Sequence, residues 1–307
     1  MTTRHFLSAD DLTASEQEQV LQLAAKVKAS PADYADALPG RSVALIFEKP
    51  STRTRVSFEV GVASMGGHPL ALTSSELQLG RGETIEDTGR VLSRYVDAIV
   101  LRTFGQQRLE VLASAATVPV VNALSDYEHP CQCLADLLTI REQRGELQGA
   151  TLAYLGDGNN VAHSLLLGGV KSGITVRVAT PPGYEPIPQV VDRARDIGRE
   201  TGGAAEVSND AAAAASGADA LYTDVWASMG QEAEQAERAL IFAPFRLDQA
   251  KVDAAADDVV VLHCLPAHRG EEITDEVIDG PRSVVWDQAE NRLHTQKALL
   301  LFLLGVA

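Results

Sequence analysis

Ser42-Val43-Ala44-Leu45-Ile46-Phe47 leads through Glu48-Lys49-Pro50 into Ser51-Thr52-Arg53-Thr54-Arg55-Val56-Ser57-Phe58. A strand buried on both faces reads as a short continuous apolar run, so Ser42–Phe47 is predicted to be a parallel-sheet strand. The segment after it reads as the start of a helix carrying Val56, Phe58, Val60 and Val62. Similar apolar runs follow at Ala98–Leu101, Val118–Asn122, Thr151–Leu155, Thr175–Ala179, Ala220–Thr223, Val259–Leu262 and Ser283–Trp286. Amphipathic stretches separate them, such as Ile85–Tyr95 with Ile85, Thr88, Val91, Leu92 and Tyr95 on one face. Alternation of this kind predicts an α/β protein with parallel sheets covered by helices on both faces.

At 307 residues the chain has room for about two domains. Arg141-Glu142-Gln143-Arg144-Gly145 reads as a basic helix end with a glycine stop, and a fresh strand, Thr151–Leu155, leads into Gly156-Asp157-Gly158. The expectation is two open parallel-sheet domains, residues 1–145 and 146–287, with the active site in the cleft between them. A last helix, Asn291–Leu304 within the segment 288–307, is expected to pack back onto the first domain.

The chain carries 26 lysines and arginines against 42 aspartates and glutamates, a net charge of −16. Such a charge repels nucleic acid and anionic lipid, and neither is an expected partner. Three cysteines cannot all pair, and Cys131-x-Cys133 with a distant Cys264 lacks zinc-ligand spacing, so no metal is expected. Unpaired cysteines fit a reducing compartment. The N-terminal residues hold no secretory apolar run, and the longest apolar run, Ala298–Leu304, is far shorter than the roughly 20 residues of a membrane span. A cytoplasmic protein is expected.

Against this acidic background the arginine-bearing Ser51-Thr52-Arg53-Thr54-Arg55 stands out. Helix-start N–H groups, three hydroxyls and two guanidiniums make an anion cradle suited to phosphate; an N-cap beside solvated arginines is the plainer reading. The pentapeptide has no Gly-x-x-x-x-Gly-Lys and is not a P-loop. His129-Pro130-Cys131-Gln132-Cys133 lies where a strand gives way to a helix, the ligand-binding rim of open α/β sheets. There His129 either polarises a carbonyl or caps the helix, with Cys131 and Cys133 as buried small apolar residues. Arg102 ends an apolar strand at the same rim, as a ligand or in an ion pair. Gln78 sits in a polar, glycine-bearing loop, functional or merely at the surface.

In the second half, Asn160 at a helix start suits a carboxylate, and Asp224 after Ala220–Thr223 either suits an ammonium group or merely sits in a helix-entry loop. Gly156-x-Gly158 is a weak dinucleotide signal, since Ala162 replaces the third glycine and Ala179-Thr180-Pro181 offers no acidic ribose partner. His263 and Cys264 are adjacent in an extended stretch, so their side chains point oppositely and cannot form a nucleophile–base pair. Cys264 therefore reads as a ligand contact. Arg292 is a terminal-helix arginine that could fold back to the same rim.

Taken together, these segments resemble one family over nearly the whole chain. Ser51-Thr52-Arg53-Thr54-Arg55 with Ser57-Phe58-Glu59, and His129-Pro130-x-Gln132-x-Leu134-Ala135-Asp136, are similar to the two shared motifs of the aspartate/ornithine carbamoyltransferases. Asp224-Val225-Trp226-x-Ser228-Met229-Gly230 and His263-Cys264-Leu265-Pro266 resemble the ornithine branch; the aspartate branch places a Pro-Leu-Pro-Arg type segment at the latter.

The resemblance implies transfer of a carbamoyl group from carbamoyl phosphate to the δ-amino group of ornithine, in arginine biosynthesis, without metal or organic cofactor. It implies that Ser51, Thr52, Arg53 and Thr54 hold the phosphate, and that Arg102, His129 and Gln132 hold the carbamoyl group with Pro130 and Cys131 beside them. Cys264 and Leu265 would line the junction of the substrates, and Arg292 would contact the donor. Asn160, Asp224, Ser228, Met229 and Cys264 would hold ornithine. It also implies a homotrimer in which Gln78 reaches a neighbouring subunit's site. The alternatives are a relative using putrescine or an N-acylated ornithine, and a dinucleotide-dependent oxidoreductase.

Overall fold

A computed structural model describes residues 3–73, 82–227 and 234–306. The chain divides into two compact units, Met1–Leu138 with Glu290–Ala307, and Thr139–Ala289.

The first unit runs α1 (Ala14–Ala29), β1 (Ser42–Phe47), α2 (Thr52–Ala63), β2 (His68–Thr73), α3 (Ile85–Leu92), β3 (Ala98–Arg102), α4 (Gln106–Ala115), β4 (Val120–Leu124) and α5 (Pro130–Arg144). Its four parallel strands lie in the order β2-β1-β3-β4. One core cluster gathers Ala44 and Ile46 of β1, Ile99 and Leu101 of β3, and Leu109 and Leu112 of α4. A capping box at Thr13 and Glu16 starts α1.

The second unit runs β5 (Thr151–Leu155), α6 (Asn160–Lys171), β6 (Thr175–Ala179), α7 (Pro188–Thr201), β7 (Ala204–Ser208), α8 (Ala211–Ala215), β8 (Ala220–Thr223), α9 (Gln235–Phe242), α10 (Gln249–Ala254), β9 (Val260–His263) and α11 (Asp275–Ile278). Its five parallel strands lie in the order β7-β6-β5-β8-β9. Ala153, Leu155, Leu221 and Val261 pack there with Phe245, Val277, Ile278 and Val285. The division of the chain falls inside α5 and inside α12 (Val285–Leu304). Among the described residues no helix is long and apolar enough to cross a membrane.

Each sheet reverses its strand order once, between β1 and β3 and between β5 and β8. Connections leave such a pair towards opposite faces, so a crevice opens beyond the strands' C-terminal ends. Phe47 pairs with Arg102 at the first reversal, and Leu155 with Thr223 at the second. Ser51, Arg102, Asp157 and Asp224 all follow or end these four strands.

Three expectations are corrected. Ser283–Trp286 is not a strand: Ser283 makes a single bridge to Val261, and Val285 already begins α12 with Trp286 exposed, because so short an apolar run does not tell a strand from a helix start. The same helix therefore begins before Asn291. α3 stops at Leu92, leaving Tyr95 73% exposed instead of on the buried face. Two strands, β2 and β7, had no continuous apolar run to reveal them. Both are sheet edges, His68-Pro69 opens one, and the other is only partly buried.

Burial predicts how the core responds to truncation. Leu45, at the centre of β1, is fully buried, whereas Leu240 on α9 is 81% exposed. Leu45→Ala should cost about 2–5 kcal/mol in chemical unfolding, and Leu240→Ala less than about 0.5 kcal/mol. Equal losses would contradict this core.

Candidate active site

The site of the first unit is built where β1 hands over to α2. Ser51 occupies the N-cap position in extended geometry (φ −161°, ψ 103°), but its side chain makes no capping hydrogen bond. The helix-start N–H groups are thus not claimed by that hydroxyl. Thr52 and Arg53 are exposed and Thr54 is buried. Arg55 turns aside to Glu59 at 3.1 Å, whereas no carboxylate pairs with Arg53 among the described residues.

Arg102 ends β3 beside Phe47, at a register shift between Leu101 and Arg102, and is buried. His129 immediately precedes α5 and is also buried, with Pro130 as the first helical residue. Burial, followed by the charges of Arg292, Arg102 and Arg53, holds the His129 imidazole well below its usual pKa. It is therefore neutral at pH 7 and has an N–H to donate.

Arg292 is buried on α12 and fixes two helix starts at once. Its Nη1 donates to Gln132 Oε1 at 2.6 Å, and its Nη2 donates to Thr54 Oγ1 at 3.0 Å. Gln132 Nε2 in turn donates to Asp136 Oδ1 at 2.8 Å. Cys131 donates its thiol to the Asn122 carbonyl at 3.3 Å, and burial pushes that thiol up to about 12, so it is no nucleophile near neutral pH. Cys133 is buried beside it in α5. Guanidiniums, a neutral imidazole and open helix-start N–H groups suit an anion that also carries a carbonyl.

The site of the second unit centres on Asp224, just past β8 and buried. Its Oδ2 accepts from Asn159 Nδ2 at 3.1 Å, and its Oδ1 accepts from the Cys264 thiol at 2.9 Å. Asn159 is itself fixed as the N-cap of α6, its Oδ1 accepting from the N–H groups of Val161 and Ala162. The buried His263 ring is used elsewhere: Nε2 donates to Glu272 Oε1 at 3.0 Å, and Nδ1 accepts from the Leu265 N–H at 2.8 Å. So His263 serves Glu272 while Cys264 serves Asp224. Leu265 follows in left-handed geometry (φ 58°), uncommon for a branched residue.

Asn160, the residue singled out in the sequence, is the first residue of α6; its neighbour Asn159 is the one that grips Asp224. Gln78, Ser228 and Met229 lie outside the described residues. Sequence reasoning passed over Asn159, Glu272 and Arg238. An asparagine before an apolar helix is an N-cap signal that could have found Asn159; Glu272 and Arg238 carry no comparable local signal. Gly158 bears on the dinucleotide alternative. Its N–H donates to the Tyr184 carbonyl at 2.9 Å, and a Cβ there would lie 2.3 Å from Pro186 N. The chain's own 184–186 backbone fills the approach that a pyrophosphate would need at this turn.

Comparison with known proteins agrees with both halves. Residues 4–142 match the carbamoyl-P binding domain of aspartate/ornithine carbamoyltransferase, and residues 148–303 match its Asp/Orn binding domain. An ornithine carbamoyltransferase of Parafrankia sp. is 67% identical, covering 99% of this chain and 97% of its own. One from Acidothermus cellulolyticus is 62% identical over the same shares. The structure of ornithine carbamoyltransferase from Pyrococcus furiosus superposes with a TM-score of 0.96 at 54% identity, covering 99% of this chain and 98% of that one. The chain belongs to the aspartate/ornithine carbamoyltransferase family.

Proposed function

We propose that the chain transfers the carbamoyl group of carbamoyl phosphate to the δ-amino group of L-ornithine, giving L-citrulline and phosphate. The observation that carries the donor half is geometric: Arg102 and His129 are buried at the end of β3 and the start of α5, and buried Arg292 ties Gln132 of α5 to Thr54 at the α2 helix start. Ser51, Thr52, Arg53 and Thr54 take the phosphate, and Gln132 and Arg292 hold the carbamoyl side. Arg102 and His129 meet the carbonyl oxygen. The acceptor half rests on Asp224, a buried carboxylate suited to an α-ammonium group, and on the names of the relatives. Asn160, Ser228 and Met229 complete the ornithine contacts in this reading, and Cys264 and Leu265 line the junction.

Chemistry follows from these groups. The neutral δ-amine attacks the carbonyl carbon and forms the C–N bond, placing charge on the carbonyl oxygen. The Arg102 guanidinium and the His129 N–H stabilise that oxyanion. The C–O bond to phosphate then breaks, Arg53 stabilises the departing phosphate, and the amine's proton passes to that phosphate, which leaves as hydrogen phosphate. The sequence resemblance supports a homotrimer with Gln78 shared between subunits, and a cytoplasmic role in arginine biosynthesis.

An acceptor panel tests the function. Carbamoyl transfer to ornithine should exceed transfer to putrescine or N-acetylornithine by about 100-fold or more in kcat/KM, since a hydrogen bond to a charged group is worth about 1.5–3 kcal/mol and these amines cannot make all of them. Equal use of putrescine would overturn the assignment of Asp224. Native sizing of the same sample should give a trimer or a multiple of one; a monomer contradicts the shared Gln78.

Direct transfer also predicts how Cys264 behaves. Its thiol donates to Asp224, while the neighbouring His263 ring is engaged by Glu272 and the Leu265 N–H. Cys264→Ser should keep measurable activity, with ornithine use weakened about tenfold to a hundredfold, because a small polar group stays in place. Intact-mass analysis of the quenched native enzyme should find no carbamoyl thioester; a Cys264 adduct would contradict direct transfer.

A further inference from the structure

Arg238 lies on α9, outside every motif that the function uses, and it is buried. Its Nη1 donates to Asp157 Oδ2 at 3.0 Å and to the Trp226 carbonyl at 2.8 Å. Its Nε donates to Glu234 Oε2 at 3.0 Å. The guanidinium sits 5.0 Å from the Tyr184 ring and 5.9 Å from the Phe242 ring, and Phe242 also meets Tyr184 at 4.8 Å and Trp226 at 5.9 Å. Two aromatic rings and three acceptors fix one planar group, an arrangement that suits arginine's fork and stacking face.

The two contacts of Nη1 flank the acceptor site. Asp157 stands two residues before Asn159, and Trp226 stands two residues after Asp224. Asn159 and Asp224 are joined to each other by the 3.1 Å hydrogen bond. One nitrogen therefore pins both shoulders of that contact, from the loop after β5 to the loop after β8. Tyr184 adds a third tie, since its carbonyl accepts from Gly158 between Asp157 and Asn159.

We infer that Arg238 is a positioning residue for the amino-acid acceptor: by clamping Asp157 to the Trp226 carbonyl it sets where the Asp224 carboxylate meets the acceptor's α-ammonium group. This rests on the ornithine reading above. The groups that hold Arg238 all belong to the second unit, which carries the acceptor's Asp224, so its effect is expected on the acceptor. Burial pushes the Asp157 carboxyl up to about 6 even with Arg238 beside it. Without that guanidinium the clamp's acidic arm would have a buried carboxyl with its counter-ion removed.

The test compares full-length wild type with Arg238→Ala, Arg238→Lys and Asp157→Asn in steady-state transfer, with carbamoyl phosphate binding measured by calorimetry. Arg238→Ala should raise KM for ornithine about 10–100-fold while kcat falls less than about threefold and donor affinity is unchanged. Arg238→Lys should recover part of the loss. Asp157→Asn should raise the same KM about tenfold, and it decides the matter if Arg238→Ala does not fold. An unchanged ornithine KM in a folded variant overturns the positioning role, as does a parallel loss of donor affinity. A wild type inert towards ornithine overturns the functional reading and this inference with it.

Discussion

A parallel strand delivers its C-terminal end to the same edge as its neighbours. Where successive connections leave for opposite faces, no helix closes over that edge. The constraint operates once in each sheet, between β1 and β3 and between β5 and β8. Local sequence then fills the two openings differently. The β1 side supplies a helix start with hydroxyls and arginines, and the β8 side supplies a buried aspartate. A cationic strand-end cluster and an anionic one thus arise at the same place in the topology. In the proposed reaction they take the anionic donor and the ammonium-bearing acceptor.

Buried charge is costly unless it is paired, and the first unit manages this by sharing. Arg292 donates to Gln132 and Thr54, holding two helix starts in register. Burial of His129, and then the arginine charge around it, suppress the protonated imidazole. The consequence is chemical: a neutral ring beside guanidiniums can donate to a carbonyl oxygen without adding charge of its own. In the second unit the polarity is reversed, with Asp224 satisfied by an amide and a thiol, both neutral donors. Its negative charge stays available for an ammonium group.

The strands buried on both faces were legible because their apolar runs are continuous, as at Ser42–Phe47 and Thr151–Leu155. Edge strands β2 and β7 were not, since partial exposure and residues such as Pro69 dilute the pattern. Candidate site residues could be named wherever a motif and a strand end coincide, as at Arg53, Arg102, His129 and Asp224. Contacts made over long sequence distances were invisible. Arg238 reaches Asp157 across 81 positions, and Arg292 reaches Thr54 across 238. Asn159 shows the finer limit: its hydrogen bond to Asp224 follows from the cap geometry of α6, which the sequence does not display.

The anion cradle at the start of α2 is the feature on which the proposed chemistry depends most. Titrating carbamoyl phosphate calorimetrically into the full-length Arg53→Ala variant tests it most directly, with circular dichroism to establish that the fold is kept. Arg53 is exposed and packs into no core, so its loss should weaken donor binding by about tenfold to a hundredfold or more while the thermal melt stays near that of the wild type. Unchanged affinity in the folded variant would place the phosphate elsewhere and contradict the cradle.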